Sequence, residues 1–508
     1  AGPGESLCAI KEQLRAVPGK GIGYGVLRYL TGAAELRSLA SPRVTFNYLG
    51  QFDGDFGAAD GALFVPSGES TGANQDPAAP LGNWLSIDGQ VYGGELELTW
   101  TFGSGMYRTD TVQALAEAYR LELERLIEHC CDSGEAGVTP SDFSLVSLTQ
   151  AQLSALPIPA REITDLYPLS PMQQGILFHS FNDPDSPAYT NQLRVDVQHL
   201  EVERFRQAWQ QTLDAHDILR TAFVWPSDAA AAVQVVRQSV QMPWSVQDWR
   251  GRTDLDTALE QLAGDDLANG FELTGAPLLR VSLVRTDDST HHLIYTCHHI
   301  LMDGWSTSQL FGEVLQRYAG LIPAAAQGRY RDYIEWLGQR DQPASRAFWK
   351  QALAELEEPT RLASAVPTQP SGVSGYADHQ HLFSEQLTAD LNRFAREQKV
   401  TLNTLVQAAW LVLLQRYTGQ DSVAFGATVA GRPTDLPGVE QQIGLFINTL
   451  PVVAAPSAEM PVERWLQHVQ GLNLALREHE HTPLYEIQRW AGSAGPGLFD
   501  TIVVFENY

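Results

Sequence analysis

The stretch that decides how this chain is interpreted is CHHILMDGW, residues 297–305. It follows an apolar run typical of a strand and precedes WSTSQLFGEVLQRYAG (305–320), whose apolar residues recur at helical spacing. Adjacent side chains of a strand point to opposite faces, so one histidine can face a cleft while the other packs inside. Gly304 permits a tight turn into the helix, which we expect to be capped by Ser306 or Thr307.

The residues of this stretch leave three interpretations open. In the first, both histidines are buried core residues with satisfied hydrogen bonds. In the second they bind a metal, although adjacent histidines rarely share one and no third or fourth ligand lies at a suitable spacing. In the third the site transfers an acyl group, because an imidazole whose pKa lies near neutrality can accept the proton of an attacking amine or hydroxyl.

The surrounding sequence predicts alternating strands and helices. LLRVSLVRTDDSTHHLIYTCHH (278–299) predicts a hairpin that turns at Asp287 and Asp288. NTLVQAAWLVLLQRYTG (403–419) predicts a buried helix that ends at its final glycine. Two further runs, DSVAFGATVAGRP (421–433) and IGLFINTLPVVAA (443–455), are typical of strands. Together these patterns predict an α/β fold with the histidine pair at a strand end.

The composition is that of an ordinary globular chain of 508 residues, long enough for about two to four domains. Asp plus Glu (60) exceed Lys plus Arg (34), and the formal charge of −26 would repel a nucleic-acid backbone. No apolar run is long enough to cross a membrane, and no secretion signal stands at the N-terminus. The four cysteines are too few for a disulfide scaffold. We therefore expect reduced thiols and a cytoplasmic protein that binds neither nucleic acid nor membrane.

A turn-rich segment predicts two units. Residues 132–163 form a linker between a first unit, 1–131, and a second unit, 164–508. The first unit closes with a helix over 109–131, TDTVQALAEAYRLELERLIEHCC. The strand-like run RVTFNYLGQF near the start resembles FDTIVVFENY at the end, where the chain stops. We expect from this that the chain is a piece of a longer polypeptide and that the second unit lacks its C-terminal strands and helix.

HHILMDGW resembles the HHxxxDG signature of nonribosomal peptide synthetase condensation domains. Five other stretches match further motifs of that family, and together with HHILMDGW they stand in the family's order along the chain. They are LSPMQQG (169–175), HDILRTAF (216–223), YRDYIEW (330–336), IGLFINT (443–449) and the degraded EHTPLYE (480–486). The chain departs from the family pattern at Ala215, where arginine is usual, at Asp217, where glutamate is usual, and at Val453, where a basic residue is common. The resemblance covers residues 164–508.

The first unit resembles the C-terminal part of an epimerization domain, a relative with the same fold. PGKGIGYG (18–25) matches the PxxGxGYG motif, and FNYLGQ (46–51) matches the FNYLG motif. A phosphate-binding loop is the alternative for the glycine string, but the spacing is not GxxxxGK[ST] and no strand clearly precedes it. Since the HHxxxDG copy and the catalytic glutamate motif of such a domain are missing, we expect this part to be inactive.

The resemblance implies a chloramphenicol-acetyltransferase-like fold, that of CoA-dependent acyltransferases, with two α/β lobes in a V and the active site between them. It implies peptide-bond formation between a donor thioester on an upstream carrier protein and an aminoacyl acceptor on a downstream carrier. The substrates would arrive on the carriers' 4′-phosphopantetheine arms, next to an adenylation domain, with no cofactor or metal bound by the chain itself. The order of the units, and the motif PLSPMQQGILFHS, imply a D-configured donor and an L acceptor.

The resemblance also assigns the site. His299 is expected to accept the acceptor amine's proton or to hold the amine, and His298 is expected to hold the loop. Asp303 is expected to form a buried ion pair with Arg432, for which a solvated turn residue is the alternative, and Gly304 is expected to line the acceptor channel. Two other functions remain open: a CoA-dependent acyltransferase, which would lack the epimerization part, and a noncatalytic recruitment domain, which would lose HHxxxDG.

Overall fold

The computed structural model describes residues 2–40, 42–51, 72, 76, 82–92, 94–132, 137–183, 187–226, 231–324, 327–366, 377–492 and 497–506. It divides into two compact units, Ala1–Asp142 and Phe143–Tyr508. This boundary lies inside the segment expected to be a linker. The stretch after Asp142 belongs to the second unit, since Phe143 and Leu153 are buried and Leu145 packs against the second unit's core.

The first unit is a small sheet with helices before and after it. The sheet has the order β1-β2-β3, with β1 parallel to β2 and β2 antiparallel to β3. The strand predicted at 43–52 and the closing helix predicted at 109–131 are both confirmed. The elements are α1 (Pro3–Arg15), α2 (Ile22–Gly25), α3 (Ala34–Arg37), β1 (Val44–Gln51), β2 (Leu85–Tyr92), β3 (Glu95–Phe102) and α4 (Thr109–Asp132). In the glycine string, Gly19 (φ 56°), Lys20 (φ 54°) and Gly21 (φ 84°) adopt left-handed backbone conformations, whereas Gly23 and Gly25 are ordinary residues of the short helix α2.

Within the described residues, the strands of the second unit form three sheets. A four-stranded sheet has the order β5-β10-β9-β8, and two three-stranded sheets have the orders β4-β7-β6 and β12-β11-β13. The strands are β4 (Ile163–Pro168), β5 (Thr190–Gln198), β6 (Thr221–Val224), β7 (Val233–Arg237), β8 (Trp244–Asp248), β9 (Leu279–Arg285), β10 (Thr290–His298), β11 (Val423–Val429), β12 (Asn448–Ala454) and β13 (Ile502–Val503).

Helices connect and cover these strands. They are α5 (Gln150–Ser154), α6 (Pro171–Asn182), α7 (Val202–Ala215), α8 (Leu255–Ala268), α9 (Gly304–Tyr318), α10 (Tyr330–Gly338), α11 (Gln342–Ala352), α12 (Leu362–Ala365), α13 (Glu385–Glu397), α14 (Leu402–Thr418), α15 (Val462–Arg477) and α16 (Leu484–Trp490). The helix predicted at 403–419 is confirmed as α14, and Gly419 ends it in the left-handed conformation (φ 73°). Within the described part of the chain, no helix is long and apolar enough to cross a membrane.

The predicted hairpin is confirmed and positions the histidine pair. β9 and β10 pair in antiparallel register, and the Asp287 carboxylate accepts the N–H groups of Ser289 and Thr290 at 2.7 Å in the turn between them. From His291 onward every residue of β10 is buried. The strand therefore runs through the core and ends at His298.

The described residues of the second unit contain two apolar cores, and loop 430–447 connects them. The first core contains side chains of the four-stranded sheet, α7 and α9, and the second contains side chains of β11, β12, α14 and α15. Loop 430–447 leaves β11 of the second core, and its buried residues Val439, Ile443, Leu445 and Phe446 pack into the first. The chain then returns to the second core in β12.

Two predicted strands are shorter than expected. IGLFINTLPVVAA becomes a strand only at Asn448. The backbone groups of residues 444–446 bond instead to three side chains: Asp303 at the end of the histidine loop (residues 299–303), Ser306 in α9 and Tyr330 in α10. The run at 499–508 forms only β13, which pairs in parallel with β11, and its last two residues lie outside the described chain.

Candidate active site

His298 is the last residue of β10 and is almost completely buried, with 6% exposure. Its ring packs between Tyr189 and Phe271, with centroids 6.4 and 6.3 Å away. Its Nδ1 accepts the Ile300 N–H at 3.2 Å, so the ring proton resides on Nε2. Burial, and secondarily the neighbouring His299, lowers the pKa of His298 to about 4. The ring is therefore neutral at physiological pH and holds the loop from inside.

His299 is half-buried, whereas its neighbour His298 is buried. Its backbone N–H donates to the Tyr189 carbonyl at 2.7 Å. Its Nδ1 lies 2.9 Å from the Met302 carbonyl oxygen, which can only accept, so Nδ1 carries a hydrogen. In the neutral ring this leaves the lone pair on Nε2, for which no residue in the described part of the chain is a partner. Nε2 can therefore take a proton from a bound group.

Asp303 ends the loop and caps the helix that follows. Its Oδ1 accepts the Ser306 N–H at 2.8 Å, the bond that defines an N-cap. The cap predicted at Ser306 or Thr307 was therefore wrong: α9 begins earlier because the aspartate supplies the acceptor. Gly304 is the first residue of the helix. Its backbone is not left-handed, so the turn does not depend on a conformation that only glycine adopts easily.

Arg432, in the loop after β11, lies against this carboxylate. Its Nη2 is 3.4 Å from Asp303 Oδ1, and the two side chains are 6% and 2% exposed. Nη1 donates to the carbonyls of Val439 and Gln442, and the guanidinium lies 4.0 Å above the Phe446 ring. Burial lowers the pKa of Arg432 and Asp303 opposes that shift. Arginine nevertheless stays charged, so the cation sits among a carboxylate, carbonyls and an aromatic face.

Sequence reasoning missed the bonds that tie loop 430–447 to the histidine loop. Asp303 Oδ2 accepts the Phe446 N–H at 3.1 Å. Ser306 Oγ accepts from Arg432 Nη2 at 2.7 Å and from Gly444 N–H at 3.1 Å, and donates to the Gly444 carbonyl at 2.8 Å. A Cβ on Gly444 would lie 2.2 Å from Tyr330 Cδ2, so only glycine fits. The signal available in the sequence was Ser306, three residues after an aspartate, which is N-cap spacing.

The arrangement combines a rigid support with one accessible base. His298, Asp303 and Ser306 are buried and hydrogen-bonded, and the hydrogen-bonded side chain of Arg432 is 6% exposed, whereas His299 is only half-buried. Within the described residues, no three His, Cys, Asp or Glu side chains lie close enough to hold a metal ion together. Such a site suits proton transfer at an acyl-transfer centre.

Comparison with known sequences assigns the family. The sequence model of the family described as "Condensation domain" matches residues 163–508. A linear gramicidin synthase from Brevibacillus parabrevis is 40% identical over 516 residues, covering 99% of this chain and 10% of the relative. Bacitracin synthase 3 of Bacillus licheniformis is 33% identical over 515 residues, covering 98% of this chain and 8% of the relative. The chain thus spans about a tenth or less of the length of these relatives.

Solved structures assign the fold. A mutant starter condensation domain of rhizomide synthetase with C8-CoA aligns with a TM-score of 0.53 and 24% identity, covering 67% of this chain and 78% of that chain. A holo four-domain nonribosomal peptide synthetase bound to AMP and glycine aligns with a TM-score of 0.56 and 21% identity, covering 68% of this chain and 27% of that chain. The predicted fold class, the α/β fold of the CoA-dependent acyltransferases, is confirmed.

The match extends from β4 to the end of the chain and includes every element that builds the histidine site. Condensation domains of nonribosomal peptide synthetases are amide-bond-forming acyltransferases. The chain therefore belongs to the condensation-domain family of nonribosomal peptide synthetases.

Proposed function

We propose that residues 163–508 join a carrier-bound donor thioester to a carrier-bound aminoacyl acceptor through a peptide bond. The observation that carries the proposal is the orientation of His299. Its Nδ1 hydrogen is engaged by the Met302 carbonyl, and its Nε2 has no partner among the described residues. A neutral imidazole in this state can accept a proton only on Nε2.

In the proposed reaction the acceptor amine attacks the donor carbonyl carbon. The new C–N bond forms as the C–S bond breaks, and the sulfur leaves on the donor's arm. The amine proton passes to Nε2 of His299 and from there to the departing thiolate. His298 holds the loop, the Asp303–Arg432 pair fixes the start of α9, and Gly304 lines the acceptor channel.

The proposed partners are carrier domains upstream and downstream, each bearing a 4′-phosphopantetheine arm, and an adjacent adenylation domain. The relatives support this arrangement, because they are long synthases of which the chain spans about a tenth. The arms belong to the carriers and bring the acyl groups as substrates. The chain itself is proposed to bind no further cofactor.

We further propose that residues 1–131 are the C-terminal part of an epimerization domain and that the donor ends in a D-configured residue. The PGKGIGYG and FNYLGQ motifs support the first assignment. The alignment with the linear gramicidin synthase runs through both units, so their order along the chain is not peculiar to this sequence. An epimerization step placed before a condensation step is useful only if the latter accepts the D form.

The test is product formation by the full chain with both substrates loaded on carrier proteins. Wild type is expected to form the dipeptide and His299→Ala to lose about 10²–10⁴-fold in rate. His468→Ala, which changes an exposed histidine on α15, serves as the matched control and should match wild type. Equal rates for His299→Ala and wild type would remove His299 from the reaction. Product from a CoA thioester but not from a carrier thioester would replace the proposal with the CoA-dependent alternative.

A further inference from the structure

Two fully buried amide side chains lie behind the histidine loop. They are Gln173 on α6 and Gln234 on β7, each 0% exposed. Gln173 completes a capping box, because its Oε1 accepts the Ser170 N–H at 2.9 Å while Ser170 Oγ accepts the Gln173 N–H at 3.4 Å. The capping box uses only the oxygen of the Gln173 amide.

The nitrogen of that amide is used elsewhere. Gln173 Nε2 donates to Gln234 Oε1 and to the Ile300 carbonyl, both at 3.1 Å, and Gln234 Nε2 donates to the Pro168 carbonyl at 2.9 Å. A backbone N–H at one end and backbone carbonyls at the other fix which amide atom is oxygen and which is nitrogen. Both hydrogens of Gln173 Nε2 are therefore engaged in one defined orientation.

The bond to Ile300 reaches the residue next to His299. The Ile300 N–H donates to His298 Nδ1, and the Ile300 carbonyl accepts from Gln173, so this residue is held on both sides. Since His299 also anchors its own ring on the Met302 carbonyl, a shift of the loop would turn the imidazole. Gln173 thus has the contacts needed to set the direction of His299 Nε2.

We propose that Gln173 is a positioning residue that aims His299 through the Ile300 carbonyl; this inference rests on the proposed function. A capping box accepts glutamate as well as glutamine at this position. The bond to Ile300 requires a donor, which an ionised glutamate lacks. A capping role alone therefore predicts that Gln173→Glu is tolerated, whereas positioning predicts that it is not.

The experiment compares Gln173→Glu with Gln234→Met in the full chain with carrier-bound substrates. Gln234→Met removes the neighbouring amide but leaves the Gln173–Ile300 bond available. At about pH 8, Gln173→Glu should lower kcat about tenfold or more with KM for both carriers unchanged, whereas Gln234→Met should keep most of kcat. The ratio of Gln173→Glu to wild-type kcat should rise as pH falls, because a protonated carboxyl regains one donor.

Three results would overturn the proposal: wild-type kcat in a folded Gln173→Glu, an equal loss in both variants, or a pH-independent ratio. Gln173→Met, neutral and of similar length, takes the place of the glutamate variant if the latter does not fold; it should show the same fall in kcat without the pH dependence, because methionine does not titrate. Histidine-ring NMR, with His299 assigned by His299→Ala, gives a readout without product. The His299 signal should move in Gln173→Glu and not in Gln234→Met, and an unmoved signal would refute positioning. If wild type forms no product, the proposed function fails while the NMR result still decides the role of Gln173.

Discussion

Replacing Asp303 with alanine should destabilise the second unit far more than removing an ordinary helix cap. The substitution deletes the acceptor of three bonds at once, from the N–H groups of Ser306 and Phe446 and from Arg432. Breaking a buried ion pair costs about 3–5 kcal/mol, and losing an N-cap costs about 1 kcal/mol. Arg432 keeps its bonds to Ser306 Oγ and to two carbonyls, which places the pair at the low end of its range. We expect a loss of about 4 kcal/mol.

Asp341→Ala is the matched control, because Asp341 also caps a helix. It accepts the Ala344 N–H at 3.0 Å at the start of α11 but is exposed. This variant should lose only about 1 kcal/mol. Asp303→Asn should fall between the two, since asparagine also caps helices but carries no charge for Arg432.

The assay is urea unfolding of the full chain followed by tryptophan fluorescence. Of the 12 tryptophans, only Trp84 and Trp100 lie in the first unit, so the signal reports mainly the second. In the double variant Asp303→Asn/Arg432→Met no unpaired charge remains, and the double variant should be more stable than the sum of the single losses predicts. A transition of Asp303→Ala no lower than that of Asp341→Ala would refute the reasoning, as would strict additivity in the cycle.

Three further perturbations have defined outcomes. The pKa of His298 is lowered to about 4, so between about pH 6.5 and pH 4 the unfolded ring binds a proton that the folded ring does not. The free energy of unfolding should therefore fall by about 2 kcal/mol per such histidine between pH 7 and pH 5. His298→Asn should reduce this pH dependence, as measured by unfolding curves at the two pH values. Gly444→Ala should lower both the melting temperature and product formation, because its Cβ would lie 2.2 Å from a Tyr330 ring carbon. Gly312→Ala in α9 is the control: a Cβ there meets nothing within 4 Å, so this variant should be neutral or stabilising. Equal melting temperatures for the two variants would contradict the predicted clash. With D- and L-ended donors in competition for one L acceptor, the D-ended donor should condense about 10²-fold faster, and equal rates measured by product mass would refute the stereochemical proposal.

The elements that the sequence predicted are those with a strong periodic or turn signal. The β9–β10 hairpin, α14 with its terminal glycine and α4 all follow from apolar spacing and turn residues within one stretch. The apolar run before the histidine pair also placed the pair correctly at a strand end. These features depend on neighbours in the sequence, so a single sequence suffices to find them.

Apart from the Asp303–Arg432 pair, which the family resemblance led us to expect, the support of the site was not predicted, because it depends on residues far apart in the chain. The bonds from Asp303 to Phe446 and from Ser306 to Gly444 join residues 143 and 138 positions apart, and each uses a backbone group that any residue would offer. No periodicity marks such a contact. The same bonds explain why IGLF is not a strand: its backbone groups already bond to the side chains of Asp303, Ser306 and Tyr330.

The magnitudes of the two catalytic contributions decide how the site should be understood. Holding two reacting groups in alignment can contribute about 7–11 kcal/mol, whereas a general base contributes about 10²–10⁴-fold, or about 3–5 kcal/mol. In this chain four residues contact the loop or its end and one is placed to act as the base. His298, Asp303, Ser306 and Arg432 form the supporting contacts, and on the loop itself only His299 is partly exposed. In the proposed reaction, substitutions that loosen the network should therefore lower the rate as much as removal of His299 does, because they disturb the alignment of the reacting groups as well as the proposed proton transfer.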